Sequence, residues 1–120
     1  MSARTGLFAD IDSMDPDAFA AHLADDVRFV FGNGEPVVGR PAVRDTWASF
    51  CDAIAGVSHE LIEQWDEGPA TIVESTVTYT RQDASTISLP VVTIYRTVRA
   101  DGLIEDYRIF MDVAPLFAAG

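Results

Sequence analysis

Thr71–Arg81 reads TIVESTVTYTR, an alternation of small polar and apolar residues that predicts a β-strand. The same period of two runs through the chain on both sides of it. Val57–Asp66, Thr86–Arg99 and Leu103–Val113 read as three further long strands. Their connectors are Glu67-Gly68-Pro69, Gln82-Asp83-Ala84-Ser85 and Ala100-Asp101-Gly102. Each has the Gly, Pro, Asp or Ser content that tight hairpins need. The second half of the chain is therefore expected to be a four-stranded antiparallel meander.

Upstream of Val57 the period is helical. Thr5–Ser13 places Leu7, Phe8 and Ile11 on one face. Asp15-Pro16 then offers an N-cap followed by a proline whose missing N–H costs nothing there. That second helix is expected to run to about Leu23, with Phe19, His22 and Leu23 on one side, and to end at Ala24-Asp25-Asp26. Val27–Phe31 (VRFVF) reads as a strand, Gly32-Asn33-Gly34 as a turn, and Pro36–Val38 as a short extended piece. Gly39-Arg40-Pro41 opens a third helix with Val43, Trp47, Phe50, Cys51 and Ile54 as its apolar stripe, and Gly56 stops it. Helices first and a meander afterwards is the pattern of an α+β domain.

The chain has 120 residues, of which 48% are hydrophobic and 22% charged, as expected of one globular domain over residues 1–120. The net charge is −11, and the basic residues are all Arg. Such a surface repels phosphate backbones and anionic lipids, which argues against nucleic-acid and membrane partners. No apolar run approaches the roughly 18 residues of a membrane span. The N-terminus lacks a basic region followed by an apolar run, so the expected location is the cytoplasm. Cys51 is the single cysteine, and the two histidines lie far apart, so neither an internal disulfide nor a Cys/His zinc site is expected.

The order helix, helix, strand, helix, four long strands resembles the NTF2-like superfamily, and its SnoaL-like members in particular. Three stretches carry the resemblance. Leu23–Phe29 (LADDVRF) resembles the junction of the second helix with the first strand. Val38–Val43 (VGRPAV) resembles the opening of the third helix, and Asp101–Asp112 (DGLIEDYRIFMD) resembles the last hairpin. The resemblance implies a cone: a curved antiparallel sheet wrapped on three N-terminal helices around one apolar pocket, with the outer face often pairing two subunits. It implies no cofactor. Ketosteroid isomerases, limonene epoxide hydrolases, polyketide cyclases and scytalone dehydratases share this fold, so the fold alone does not name a reaction.

Two of those chemistries are absent. The isomerase base would fall near Phe31, and its two oxyanion donors near Leu7 and Val92; none of these can hold or give the required proton. The epoxide hydrolase residues that position water would fall at Phe29 and Phe31, and its acid–base relay near Val77, Ser75 and Ile109. The same comparison implies which residues face the pocket. They are Phe29 and Phe31; Val57, His59 and Leu61; Ser75, Val77 and Tyr79; and Tyr107, Ile109 and Met111. The strand Ser88–Val98 is apolar on both faces, and its inward side stays open.

His59 is the leading candidate for proton transfer, since histidine is the side chain most often used for general acid–base work; the other reading is a hydrogen-bonded core histidine. Glu63 and Trp65 share its parity in a regular strand, so Glu63 is a second candidate at the pocket mouth. Tyr79 and Tyr107 are candidate hydrogen-bond donors to a ligand carbonyl, or packing residues with wet hydroxyls. Phe29, Phe31, Trp47, Phe50, Ser75, Val77, Ile109 and Met111 are the candidate ligand contacts. His22, Cys51 and Asp112 read as structural. Two functions follow as expectations. One is a cofactor-free cyclase, isomerase or dehydratase acting on an apolar carbonyl or polyketide-like molecule. The other is a non-catalytic pocket or scaffold protein. A homodimer through the outer face, where Thr76, Thr78, Arg108 and Phe110 are expected, is compatible with both.

Overall fold

A computed structural model describes residues 2–97 and 100–117, with side chains from residue 6 onward. The elements in chain order are α1 (Ser2–Asp12), α2 (Pro16–Ala20), β1 (Leu23–Phe31), β2 (Val37–Val38), α3 (Arg40–Asp52), β3 (Gly56–Glu67), β4 (Ala70–Thr80), β5 (Thr86–Arg96), β6 (Ile104–Phe110) and α4 (Ala114–Phe117). The expected extension of β5 through Val98 and Arg99 lies outside the described residues. The strands form one sheet in the order β2-β1-β6-β5-β4-β3.

The meander β3 to β6 is antiparallel throughout. The sheet as a whole is not, because β1 runs parallel to β6, with Phe29 opposite Tyr107 and Phe31 opposite Ile109. Everything between those strands serves as the long crossover that a parallel pair needs. The last strand is thereby locked between the first strand and β5. Leu23 belongs to β1 and not to the end of α2: it pairs with Ile104 and is fully buried. The short α2 is capped as its sequence suggests, Asp15 accepting from the N–H of Asp17 at 3.0 Å. Gly39 precedes α3 at φ 99°, a region that side chains disfavour, and its N–H reaches the Val27 carbonyl at 2.8 Å.

One face of the sheet is buried against the helices. On β4 it carries Thr71, Val73, Ser75, Val77 and Tyr79, and on β5 it carries Leu89, Val91, Thr93 and Tyr95. This settles the inward side of β5. Val73 and Val77 are wholly buried, and such side chains each contribute about 1.5–3 kcal/mol. Leu7, Phe8, Ile11, Phe19, Val43 and Trp47 close the core from the helical side.

The regular alternation expected for β3 breaks at one place. Leu61 pairs with Ser75, but the next pair is Glu63 with Glu74, leaving Ile62 as an extra residue. The bulge reverses the side-chain parity beyond it. Glu63 therefore shares the outer face with Glu74 and is exposed, and Trp65 pairs with Ile72 on that face. The expectation that Glu63 reaches the pocket mouth is corrected accordingly. A second departure is α4. Asp112 accepts from the N–H of Ala114, and Arg81 donates to the carbonyls of Leu116 and Pro115, each at 3.0 Å.

Candidate functional site

His59 lies on β3 before the bulge, so it keeps the inward parity of Val57. α1 delivers Asp12 to it. Asp12 stands four residues after Phe8, on the helix face that packs against the sheet. Its carboxylate grips His59 twice: one oxygen takes the backbone N–H at 2.8 Å and the other meets ring Nδ1 at 2.6 Å. The side chains are 11% and 24% exposed. The Phe8 ring lies 5.2 Å from the imidazole. An ionised carboxylate only accepts, so in this contact Nδ1 is the donor, and Nε2 is left as the ring nitrogen that Asp12 does not engage.

His59 borders a central cavity of about 30 Å³. Tyr79, Thr93, Tyr107 and Trp47 line it with Phe31, Val91, Ile109 and Met111. Both phenols are held well above the ordinary tyrosine range, chiefly by burial; the charge of Asp12 adds to this at Tyr79, and Tyr95, Tyr79 and then Asp12 add to it at Tyr107. They stay protonated, and so remain donors, throughout the neutral range. Tyr107 stacks between Phe29 at 5.6 Å and Tyr95 at 6.0 Å.

Beside the cavity, a groove of about 360 Å³ opens between α3, β1 and the C-terminal segment. Phe29, Phe31, Trp47, Phe50, Val113 and Phe117 line it, with Thr46 and Ser49. Phe31 and Trp47 belong to both spaces and form the partition between them. Trp47 stacks on Phe50, whose edge meets Tyr79 and Phe117.

The structure thus gathers His59, Tyr79, Tyr107, Phe31, Trp47, Ile109 and Met111 around one cavity, and sets Phe29 and Phe50 in the adjoining groove. Ser75 and Val77 line neither space; both are buried in the core. Glu63 is on the opposite side of the sheet. Asp12 was not anticipated. The one available signal was its position beside the apolar stripe of the first helix. Val91 and Thr93 were hidden by the two-sided hydrophobicity of their strand. Cys51 is buried on α3, and burial, helped by Asp52, pushes its thiol up to about 11. Among the described residues no group of three His, Cys, Asp or Glu side chains is placed to hold a metal ion. No helix among them is long and apolar enough to cross a membrane.

A family model for the SnoaL-like domain matches residues 5–107. No curated protein matches the chain. Solved structures do. A SnoaL-like polyketide cyclase, so described, from Jannaschia sp. CCS1 superposes with a TM-score of 0.82 at 17% identity, over 98% of this chain and 88% of that one. TerC, co-crystallised with polyporic acid, gives 0.81 at 18% identity, over 97% and 93%. A protein of ketosteroid isomerase-like fold from Catenulispora acidiphila, in complex with trimethylamine, gives 0.80 at 19%, over 89% and 82%. At such identities the likeness is one of fold.

Proposed function

The chain belongs to the SnoaL-like domain family of NTF2-like folds, and from that premise we propose that it is a cofactor-free acid–base enzyme acting on a small apolar carbonyl compound of polyketide type. His59 exchanges the proton. The observation that carries this reading is the double grip of Asp12 on His59. A carboxylate on Nδ1 fixes the tautomer, orients the ring and stabilises the imidazolium that forms when Nε2 takes a proton. Tyr79 and Tyr107 are the donors available to a carbonyl oxygen that gains charge during the step. The groove takes the apolar body of the molecule, on Phe29, Phe31, Trp47 and Phe50. The net charge of −11 favours a neutral substrate over an anionic one. Relatives of the fold that hold polyporic acid or trimethylamine support a role in handling small molecules. The working compartment in this reading is the cytoplasm.

The test is turnover of a panel of neutral hydroxy ketones and unconjugated enones, followed by ultraviolet absorbance, with His59→Gln as the control. A loss of about 100-fold or more is the expected size for a removed acid–base group. Full activity in the variant sinks the proposal.

A second reading, a non-catalytic binding or scaffold protein that assembles as a homodimer, draws on the outer face of the sheet. Register places Trp65, Ile72, Ile94 and Arg108 in one row across four strands, with Val92 and Phe110 beside it. Trp65 is 41% exposed and Phe110 49%. A patch of this kind suits a self-complementary, two-fold contact. Sedimentation at micromolar concentration is expected to give twice the monomer mass. A monomer there removes the dimer from the reading.

A further inference from the structure

A further pocket, of about 200 Å³, lies at the other end of the inner face, beside the hairpin that joins β5 to β6. It shares no lining residue with the central cavity or the groove. The division falls within β5: Thr93 lines the cavity, and Tyr95, the next inward residue, lines the pocket. Tyr95 stacks on Tyr107, a residue of the cavity wall, with 6.0 Å between ring centroids, so the two rings stand between the spaces. Leu7, Leu103 and Ile104 give the pocket apolar surface, and His22, Thr71, Tyr95 and Thr97 give it polar groups. An apolar cavity of about 150 Å³ holds benzene, so this one has room for a single ring with a short arm.

Two of the polar groups are backed by carboxylates. Asp10 engages His22 Nε2 at 2.7 Å. An ionised carboxylate only accepts, so Nε2 is the donor there, and in the neutral ring Nδ1 is then an acceptor. Register sets Asp66 opposite Thr71, and the Thr71 hydroxyl donates to the Asp66 carboxylate at 3.1 Å. The one hydrogen of that hydroxyl is thereby committed, and its oxygen can only accept from a guest. The hydroxyls of Tyr95 and Thr97 can serve as donor or acceptor. Among the described residues no arginine lines the pocket, and the chain has no lysine. With a net charge of −11, these surroundings favour a positive guest and disfavour an anion.

We propose that this pocket is a second binding site, separate from that of His59, and that its ligand is a small organic ammonium ion with one ring-sized apolar body. The ammonium N–H groups donate to Thr71 Oγ1 and His22 Nδ1, and its charge lies near Asp10 and Asp66. The ring rests on Leu7, Leu103 and Ile104. The proposal stands independently of any reaction at His59, because the two sites have no wall residue in common.

The experiment titrates the full chain with benzylammonium chloride at neutral pH, followed by amide chemical shifts, with benzyl alcohol and benzoate as probes of the same shape. Saturable shifts are expected at Thr71, Tyr95, Leu103 and Ile104, and none at Phe31, Trp47 or Phe50. Benzyl alcohol is expected to bind several-fold more weakly. Benzoate is expected to bind about tenfold more weakly or worse, since it sets like charge against like. Asp10→Asn keeps an oxygen for His22 and removes the charge, and Thr71→Val removes the accepting oxygen; each is expected to weaken benzylammonium several-fold. Ala21→Trp places an indole at an exposed position on the pocket wall and is expected to abolish binding while the urea midpoint stays at the wild-type value. The absence of saturable binding overturns the proposal. So do shifts centred on Phe31, Trp47 and Phe50, which place the ring in the groove, and so does binding that survives Ala21→Trp. Equal affinity for all three probes overturns the choice of an ammonium ion.

Discussion

The chain's two histidines have the same kind of partner and different circumstances. His22 Nε2 meets Asp10 at 2.7 Å, and His59 Nδ1 meets Asp12 at 2.6 Å. Both carboxylates come from α1, two residues apart and so about 200° apart around the helix. The first pair is the more open, with side chains 26% and 44% exposed, against 11% and 24% for the second. Asp12 also holds the backbone N–H of His59, which ties the carboxylate to β3 as well as to the ring. A carboxylate neighbour is therefore not what singles out His59. Its distinction is burial, a second anchoring bond, and a cavity with two phenols, Tyr79 and Tyr107, where the larger pocket of about 200 Å³ that His22 borders has one, Tyr95.

Substitution at the two pairs breaks or sharpens this contrast. The largest effect is expected on catalysis. His59→Gln and Asp12→Asn should lower turnover by about 100- to 10,000-fold, the range for positioned acid–base groups, while His22→Gln and Asp10→Asn leave it unchanged. Equal losses at both pairs, read from initial rates, would erase the distinction. Stability comes next. Asp12→Ala leaves a largely buried N–H and ring nitrogen without their acceptor and should cost about 1–3 kcal/mol. Asp10→Ala removes a partly exposed pair worth at most about 1 kcal/mol. Urea midpoints measured side by side check the order.

A smaller effect concerns alkali. The folded state holds the Tyr79 phenol above its ordinary value of 10.0, so it keeps the proton where the unfolded chain releases it. The stabilising contribution is complete below that value and is lost as pH rises beyond it. Denaturation midpoints should fall between about pH 10 and 12, and Tyr79→Phe should flatten the fall. Asp12→Asn should let the phenol ionise at lower pH than in wild type, whereas Asp10→Asn should not. Absorbance titration near 295 nm separates the two.

The order of elements was legible because each boundary carries its own chemistry: Asp15-Pro16, Gly39-Arg40-Pro41 and three hairpin connectors. The family resemblance, carried along each strand by regular alternation, implied that His59, Tyr79 and Tyr107 face inward. The same rule failed four residues beyond His59, since the bulge at Ile62 has no residue signature and turns Glu63 and Trp65 outward. Contacts between distant segments were illegible in principle. Asp12 and His59 are 47 residues apart, and nothing local to either names the other. The parallel pairing of β1 with β6 is hidden for the same reason. In β5, apolar Val92 and Ile94 on the outer face masked the inner set, whose members the register now identifies. α4 escaped because its four residues are too few for a periodic signal; Arg81 and Asp112 hold it from outside.

The pairing of the first strand with the last also sets a timetable for synthesis. β1 leaves the ribosome early, yet its long partner begins only at Ile104. Until then β1 has only two-residue β2 beside it, and β5 lacks its second neighbour. Both present unpaired edges rich in Phe, Val and Ile, the kind of edge that recruits other chains. Contacts of such sequence separation close slowly. The nascent chain is thus most vulnerable to misassociation over the stretch before its final strand emerges, and a co-translational chaperone has most to offer it there.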